Sequence, residues 1–292
     1  MHALRNWRIE DGGPMLPSQA IDETLRWKDP STPLTISAVS ALDERYFRLR
    51  MDPAFAVDVS TDGRIVVRQN VPVPQITIDH FLADQVIPRL LAHAGSFVFH
   101  AGAVRSGEAA LVFLGQSGRG KSTLVTSFKQ AGFALLGDDA MVLASPGGVP
   151  HVSPVYPSLR LYADSIEALM PGAATAGPVA HYSTKERIDV EIDADTELTP
   201  LPVRAIFCLA APAAGETIEL RRLAPAEACM TLVESSFALD PADLDQARRR
   251  LDDASRLARL VPAFEISYPR DYACLPEVRR AILGQVAALE AE

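Results

Sequence analysis

The stretch GQSGRGKS (residues 115–122) matches the pattern G-x-x-x-x-G-K-[ST] without a gap. It follows Ala109–Leu114, an apolar segment that predicts a strand, and it leads into Lys121–Gln130, which predicts a helix. Glycines in such a loop let backbone N–H groups point inward around an anion, and the start of the helix adds positive potential. A glycine-rich turn needed only for tight packing would not require Lys and Ser at these offsets. The stretch therefore predicts a Walker A loop that binds the phosphates of a nucleotide.

The two side chains that close this pattern carry separate roles in a phosphate loop. Lys121 is expected to reach the β- and γ-phosphates of ATP, and the Ser122 hydroxyl is expected to ligate Mg²⁺. The predicted nucleotide-binding residues are Gly115, Gln116, Ser117, Gly118, Arg119, Gly120, Lys121, Ser122 and Thr123.

An acidic pair, Asp138 and Asp139, ends the next predicted strand, Phe133–Leu136. In a parallel sheet the C-terminal ends of strands gather at one edge, so we expect the pair beside the phosphate loop. Two adjacent carboxylates suit a division of labour, in which one activates an acceptor hydroxyl and the other holds Mg²⁺. A lone Asp after a strand is commonly only a loop starter, but an upstream phosphate loop favours the catalytic interpretation.

Three further residues have two interpretations each. His100 lies in an apolar strand (Phe97–Val104), where a lone His is more often a packed core residue than a catalyst. Arg160 and Lys185 are candidates to neutralise the charge of a transferring phosphoryl group, or are solvated surface cations. We carry Arg160 as a catalytic candidate.

The order of predicted elements indicates an α/β protein with two parts. Residues 1–95 predict a small α+β lobe, with a short helix at Pro17–Trp27, strands, and a helix at Asp79–His93. Residues 96–292 predict a catalytic domain built as a P-loop kinase core with a mixed sheet, followed by C-terminal helices.

Composition excludes several classes of protein. The formal net charge is −9 and the pI is about 5.2, which argues against broad binding to nucleic acid or to an anionic membrane. No stretch approaches 18 apolar residues and the N-terminus has no signal-like apolar run, so we expect a soluble cytoplasmic protein. The cysteines are 3 in number, form no CxxC pair, and are expected to be reduced thiols.

The run FHAGAVRSGEAALVFLGQSGRGKSTLVTSFKQAGFALLGDDAMVL (residues 99–143) resembles the catalytic core of the HPr serine kinase/phosphorylase family. In particular it resembles the shorter HPr-kinase-related proteins of bacterial peptide maturation clusters, including lasso-peptide clusters. The segments YPSLRLYADS (156–165) and YPRDYACLPEVRRAIL (268–283) resemble later blocks of those proteins. The resemblance is concentrated in residues 97–145.

This resemblance implies a specific assignment of roles. His100 would support Asp138 through a hydrogen bond, Asp138 would be the general base toward a serine hydroxyl, and Asp139 would help to order the metal. Because related enzymes assemble into oligomers, the resemblance allows for a homo-oligomer.

The sequence departs from the pattern of this family in two places, and each removes one implied property. The family's E-x-R-G-L-G signature is not found, and HYSTKERIDVEI (181–192) occupies a similar stretch without its glycines. Phosphorolysis is therefore not predicted. The N-terminal lobe does not resemble the family's separate N-terminal domain, so HPr itself is not the predicted acceptor.

The sequence thus predicts an ATP- and Mg²⁺-dependent kinase that phosphorylates a serine of a peptide or small protein, with a lasso-peptide precursor as one candidate. A nucleotide-binding regulatory ATPase and a small-metabolite kinase stay open as alternatives. A GTPase is disfavoured because no N-K-x-D tetrapeptide occurs, and an ABC-type ATPase is disfavoured because no LSGGQ-like signature follows the loop.

Overall fold

The computed structural model describes residues 8–15, 22–29, 32–41, 44–61, 63–156, 158–188, 199–212 and 217–291. The chain groups into two compact units. Unit 1 comprises Met1–Gly95 with Ala238–Arg249, and unit 2 comprises Ser96–Phe237 with Arg250–Glu292. The domain boundary proposed between residues 95 and 96 stays a prediction.

Unit 1 is built on a six-stranded sheet with the order β1-β6-β5-β4-β3-β2. Its strands are β1 (Arg8–Asp11), β2 (Asp22–Lys28), β3 (Thr35–Ala41), β4 (Glu44–Asp52), β5 (Phe55–Ser60) and β6 (Arg64–Gln69). From β2 to β6 each strand pairs antiparallel with the next, and β1 pairs parallel with β6. β5 and β6 pair antiparallel as consecutive strands, and Gly63 before β6 has φ +98, a conformation that glycine adopts readily.

After the sheet, unit 1 continues with α1 (Gln75–Phe81), a π-helical turn (Leu82–Val86) and α2 (Ile87–His93), which follow one another directly. Phe81 packs edge-on against Phe55 of the sheet, with ring centroids 5.2 Å apart. Unit 1 is therefore α+β.

The helix predicted at Pro17–Trp27 is wrong over its described part. Residues 17–21 lie outside the described residues, and Asp22–Lys28 is a strand that pairs antiparallel with β3 along its whole length. The spacing of Ile21 and Leu25 by one helical turn suggested a helix, but ladder hydrogen bonds to the following strand override so weak a local preference.

Unit 2 contains a nine-stranded mixed sheet and a three-stranded sheet. In the larger sheet the order is β10-β8-β9-β16-β12-β11-β7, with β18 paired to β16 and β17 to β18, and in the smaller sheet it is β13-β15-β14. The strands are β7 (Phe97–Phe99), β8 (Gly102–Ser106), β9 (Ala109–Leu114), β10 (Ala134–Gly137), β11 (Met141–Ala144), β12 (His151–Pro154), β13 (Arg160–Tyr162), β14 (Thr175–Pro178), β15 (Lys185–Ile188), β16 (Leu201–Leu209), β17 (Glu219–Arg222) and β18 (Ala263–Ser267).

The remaining helices are α3 (Lys121–Gln130), α4 (Ala163–Leu169), α5 (Pro225–Glu234), α6 (Leu244–Leu260) and α7 (Leu275–Ala291). Within the described ranges, none of the helices has the length and apolar character that crossing a membrane requires. The predicted α/β class with a mixed sheet and C-terminal helices is confirmed.

The large sheet of unit 2 is covered on both faces. On β9, Val112 belongs to the buried cluster that includes Leu232 of α5, whereas Phe113 belongs to the cluster formed with Phe128 of α3. The rings of Phe113 and Phe128 lie 5.4 Å apart. A strand buried on both faces is apolar at every position, which explains the uninterrupted run AALVFL.

Strand directions place several strand ends together. β8 pairs antiparallel with both β9 and β10, and β16 pairs parallel with β9 and β18. Hence β9, β10, β16 and β18 run in one direction and end at one edge of the sheet. We expected the acidic pair beside the phosphate loop on the basis of a parallel sheet, but the sheet is mixed. A hairpin at Ser106-Gly107 places β8 between β9 and β10 and antiparallel to both.

Candidate active site

The loop between β9 and α3 has the backbone of an anion nest. Gly115, Gly118 and Gly120 have φ values of 153°, 78° and 94°, a region that side chains disfavour. A Cβ atom on Gly115 would also lie 3.1 Å from Cβ of Leu209 and 3.2 Å from its carbonyl oxygen. Glycine at this position therefore satisfies both the turn and the close approach of β16.

Lys121 is the first residue of α3, and its side chain turns back over the loop. Its Nζ donates to the carbonyl oxygens of Gly115 at 2.5 Å and Gln116 at 3.3 Å. Burial lowers the pKa of Lys121 to about 8, although the nearby charges of Asp138 and Asp139 raise it. The ammonium group is thus held over the loop, ready to interact with phosphate oxygens.

Asp138 follows the end of β10 and is 1% exposed. Burial, and secondly the charge of Asp139, raise its pKa to about 6, while the Ser122 hydroxyl lowers it. Both carboxylate oxygens lack a hydrogen-bond partner of normal geometry among the described residues. Because an unpaired buried charge is costly, this carboxyl group keeps its proton to a higher pH than an ordinary aspartate does.

Asp139 has φ +88, the one positive value outside glycine among the described residues. Its Oδ2 forms an ion pair with Nε of Arg160 at 3.1 Å, and both side chains are buried. Arg160 also donates to the Tyr156 hydroxyl, and its guanidinium lies 5.6 Å from the centre of that ring. The positive φ of Asp139 is a strained backbone conformation. Such a conformation persists where surrounding contacts enforce it, and it is common at functional sites.

His100 lies between β7 and β8, and its ring is in an edge-on arrangement with the ring of Phe237, with ring centroids 6.4 Å apart. Its backbone N–H donates to the carbonyl of Ser235 at 2.7 Å. The hydrogen bond to Asp138 that the resemblance implied is not formed in the described structure, because neither Asp138 oxygen has a partner. The catalytic role of His100 stays a prediction.

A cavity of about 260 Å³ opens beside the loop. The sequence-predicted residues that line it are His100, Ser117, Gly118, Arg119, Gly120, Lys121, Ser122, Thr123, Asp139 and Arg160. The predicted residues that are not part of its lining are Gly115, Gln116 and Asp138. The structure thus brings both phosphate loop and acidic pair to one place but turns Asp139, and not Asp138, toward the cavity.

Sequence reasoning missed one wall of this cavity. It is formed by the segment between β18 and α7 (Tyr268–Tyr272) together with Asp164 of α4. Arg270 donates to the carbonyl of Gly118, and a Cβ on Gly120 would lie 3.4 Å from the Tyr268 hydroxyl. The available signal was a cluster of aromatic and charged residues directly after an apolar strand.

The cavity is basic although the whole chain is acidic. Its cationic lining residues are Arg119, Lys121, Arg160, Lys185 and Arg270, and its carboxylates are Asp139, Asp164 and Asp271. Lys185 therefore lies in the cavity wall, with Nζ 5.4 Å from the centre of the Tyr162 ring. A local excess of cations attracts an anionic ligand regardless of net charge.

The residues beside the loop fit Mg²⁺ carried by phosphates. No cluster of three or more His, Cys, Asp or Glu in the described ranges would hold a metal ion alone. The Ser122 hydroxyl faces the Asp138 carboxyl, whose oxygens have no partner, and Asp139 lines the cavity. Mg²⁺ binds in proteins through one or two such oxygen ligands plus phosphate oxygens, so Ser122 and Asp139 are suitable protein ligands.

Comparisons with known proteins give similarity to solved structures. No protein-family model matches this sequence. A search of curated proteins gives no match. Among solved structures the chain is similar to the Hpr(Ser) kinase/phosphatase from Coxiella burnetii, with 13% identity and a TM-score of 0.33 over 64% of this chain and 97% of that chain. At this identity and TM-score the likeness decides neither fold nor activity.

Proposed function

We propose that this protein is an ATP- and Mg²⁺-dependent kinase that transfers the γ-phosphoryl group to a serine hydroxyl of a peptide or small protein. One observation carries the proposal: a buried carboxyl group without a partner, Asp138, lies beside the Ser122 hydroxyl at the end of a phosphate-type loop. A group with a pKa of about 6 is suited to accept a proton at neutral pH.

The phosphates are held by the residues at the start of α3. Loop N–H groups and the Lys121 ammonium bind the β- and γ-phosphates, and the start of α3 adds its positive potential. Ser122 and Asp139 hold Mg²⁺, which supplies charge neutralisation of the phosphate oxygens when bound. Arg160 and Lys185 lie in the same wall and add cationic charge where negative charge spreads over the transferred group.

The transfer forms one bond and breaks one. The serine oxygen bonds to the γ-phosphorus, the bond from that phosphorus to the bridging oxygen breaks, and ADP leaves. Asp138 takes the hydroxyl proton. Because Asp138 lies outside the cavity lining, an acceptor hydroxyl must approach past Ser122 and Asp139, or the two carboxylates must shift when substrate binds. His100, in the cavity wall, supports Asp138 in that second arrangement.

The acceptor is proposed from the resemblance noted for residues 99–143. A serine-containing precursor peptide, such as a lasso-peptide precursor, is the first acceptor to test. Among the described residues that line the cavity, no feature specifically favours a small metabolite as the acceptor.

A regulatory ATPase is the second candidate. It is favoured by the position of Asp138, which is 1% exposed and therefore has no direct path to a bulky acceptor. In that case water, which is small enough to reach Asp138, would receive the phosphoryl group and inorganic phosphate would accumulate without an acceptor.

The experiment that tests the proposal compares the wild-type chain with Asp138→Asn. Both are incubated with γ-labelled ATP, Mg²⁺, and a serine-containing precursor peptide or its Ser→Ala counterpart. We expect Asp138→Asn to bind ATP with unchanged affinity by calorimetry and to lose transfer by at least about 100-fold, as removal of a general base does.

The matched control is Asp252→Asn, at an exposed position on α6, which should leave transfer unchanged. Retained transfer in Asp138→Asn would remove the assignment of the base. Release of phosphate by the wild type, with no label in either peptide, would favour the regulatory ATPase instead.

A further inference from the structure

A chain of hydroxyl groups runs along the wall of the cavity that the proposed transfer step does not use. Thr123 Oγ1 and Ser165 Oγ share a hydrogen bond of 3.4 Å, and Ser165 Oγ lies 3.0 Å from the Tyr272 hydroxyl. The Tyr272 hydroxyl in turn donates to Oδ2 of Asp164 at 2.8 Å. This chain joins α3, α4 and the segment before α7, three elements that are far apart in sequence.

The series of hydrogen-bonded hydroxyl groups ends at the carboxylate of Asp164, which has unused acceptor capacity toward the cavity. Asp164 lines the cavity, and among the described residues its carboxylate receives the Tyr272 hydroxyl and no other side chain. An ionised carboxylate accepts up to four hydrogen bonds, so most of its capacity faces the open space. Since no lysine or arginine is paired with it in the described structure, its oxygens can accept hydrogen bonds from the hydroxyl groups of a ligand.

The position of Thr123 relates this acceptor to the nucleotide. Lys121 and Ser122 mark the β- and γ-phosphate end of the site, where the acidic pair also lies. Thr123 is the next residue along α3 and lines the same cavity, so we expect it on the nucleoside side of these phosphates. Beyond Thr123 the wall continues through Ser165 to Tyr272 and Asp164.

We propose that Asp164 and Tyr272 bind the ribose hydroxyl groups of the nucleotide, so that the site selects ribonucleoside triphosphates. This rests on the function proposed above and names the sugar-binding part of the same site. A vicinal diol offers two O–H donors, and in other nucleotide-binding folds an acidic residue accepts a hydrogen bond from a ribose hydroxyl. Tyr272 accepts from the second hydroxyl while it keeps its own hydrogen bond to Asp164.

The test measures binding of ATP, 2′-deoxy-ATP and inorganic tripolyphosphate, each with Mg²⁺, by calorimetry. The full-length variants are Asp164→Asn and Tyr272→Phe. Glu167→Gln serves as the matched control, because Glu167 is an exposed carboxylate on the same helix and is not part of the cavity lining. Circular dichroism of each variant checks that it is folded.

We expect the wild type to bind ATP about tenfold more tightly than 2′-deoxy-ATP, the size of one hydrogen bond to a charged group. Asp164→Asn should bring that ratio close to one and leave tripolyphosphate binding unchanged. Tyr272→Phe should weaken ATP binding by a smaller factor.

Equal weakening of ATP and tripolyphosphate in Asp164→Asn would overturn the inference, since the wall would then act only by supporting the phosphate loop. Equal affinity of the wild type for ATP and 2′-deoxy-ATP would overturn it as well, with the proposed kinase function left standing. If wild type bound neither ATP nor tripolyphosphate, both the kinase proposal and the ribose site would be rejected together.

Discussion

Replacing Asp138 by Asn should change the stability of the protein in a way that depends on pH. In the folded chain, burial raises the pKa of Asp138 from an ordinary 3.8 to about 6. Below a pH of about 4 the carboxyl is neutral in both the folded and the unfolded chain. Between about 4 and 6 the unfolded chain releases its proton while the folded chain keeps it, so the free energy of unfolding falls as pH rises. Above a pH of about 6 the carboxyl is ionised in both states, and the free energy of unfolding falls no further because of this group.

The size of that loss follows from the difference between the two pKa values. It corresponds to about 3 kcal/mol of destabilisation that the wild type carries at pH 7.5 and not at pH 4. The asparagine variant carries no titrating group at this position, and any cost of burying the amide is the same at both pH values. The stability of Asp138→Asn relative to wild type should therefore rise by about 3 kcal/mol between pH 4 and pH 7.5.

Urea unfolding followed by circular dichroism at pH 4, 5, 6 and 7.5 measures this difference. The control is Asp252→Asn, on the exposed face of α6, for which we expect a change within about 0.5 kcal/mol at every pH. A difference between Asp138→Asn and wild type that is flat with pH, or that falls as pH rises, would refute the reasoning. It would mean that the folded site accommodates the ionised carboxylate, for example by admitting water.

Two further substitutions test contacts around the site. Arg160→Gln leaves the buried Asp139 without its ion pair and should lower the free energy of unfolding by about 3 kcal/mol in urea, whereas Arg160→Lys should recover part of that loss; an equal loss in both would show that packing, not charge, is responsible. Gly102→Ala places a Cβ 2.7 Å from Cγ2 of Val125 and should cost about 1–3 kcal/mol by thermal unfolding. Gly284→Ala, with open space around it, is the control, and an unchanged melting temperature in Gly102→Ala would contradict this packing argument.

Features with a local cause were predicted well from the sequence. The helix predicted at Lys121–Gln130 begins and ends at the observed residues of α3. Its start depends on the glycines of the loop, and a positive φ at Gly132 follows its end, so nearby residues contain most of the information. The prediction for Pro17–Trp27 failed because β2 exists only through pairing with β3, a cause that lies outside the segment.

The candidate site likewise contains residues that were predicted from local sequence and residues that were not. Ser117–Thr123, together with Asp139 and Arg160, were predicted and line the cavity. The Tyr268–Tyr272 segment was not predicted to do so, because it reaches the loop through parallel pairing of β18 with β16. Such pairing depends on the whole sheet and has no signature in a short stretch of sequence.

The amino-acid sequence by itself determined the phosphate-type loop, since glycine conformation and the Lys-Ser pair act over eight neighbouring residues. Only the tertiary structure decided which member of the acidic pair faces the cavity. It also decided that Arg160 is paired with Asp139 and that Asp138 is buried without a partner. The physical reason is that burial and charge pairing depend on segments brought together by the sheet, and these surroundings shift the pKa of Asp138 from that of an ordinary aspartate.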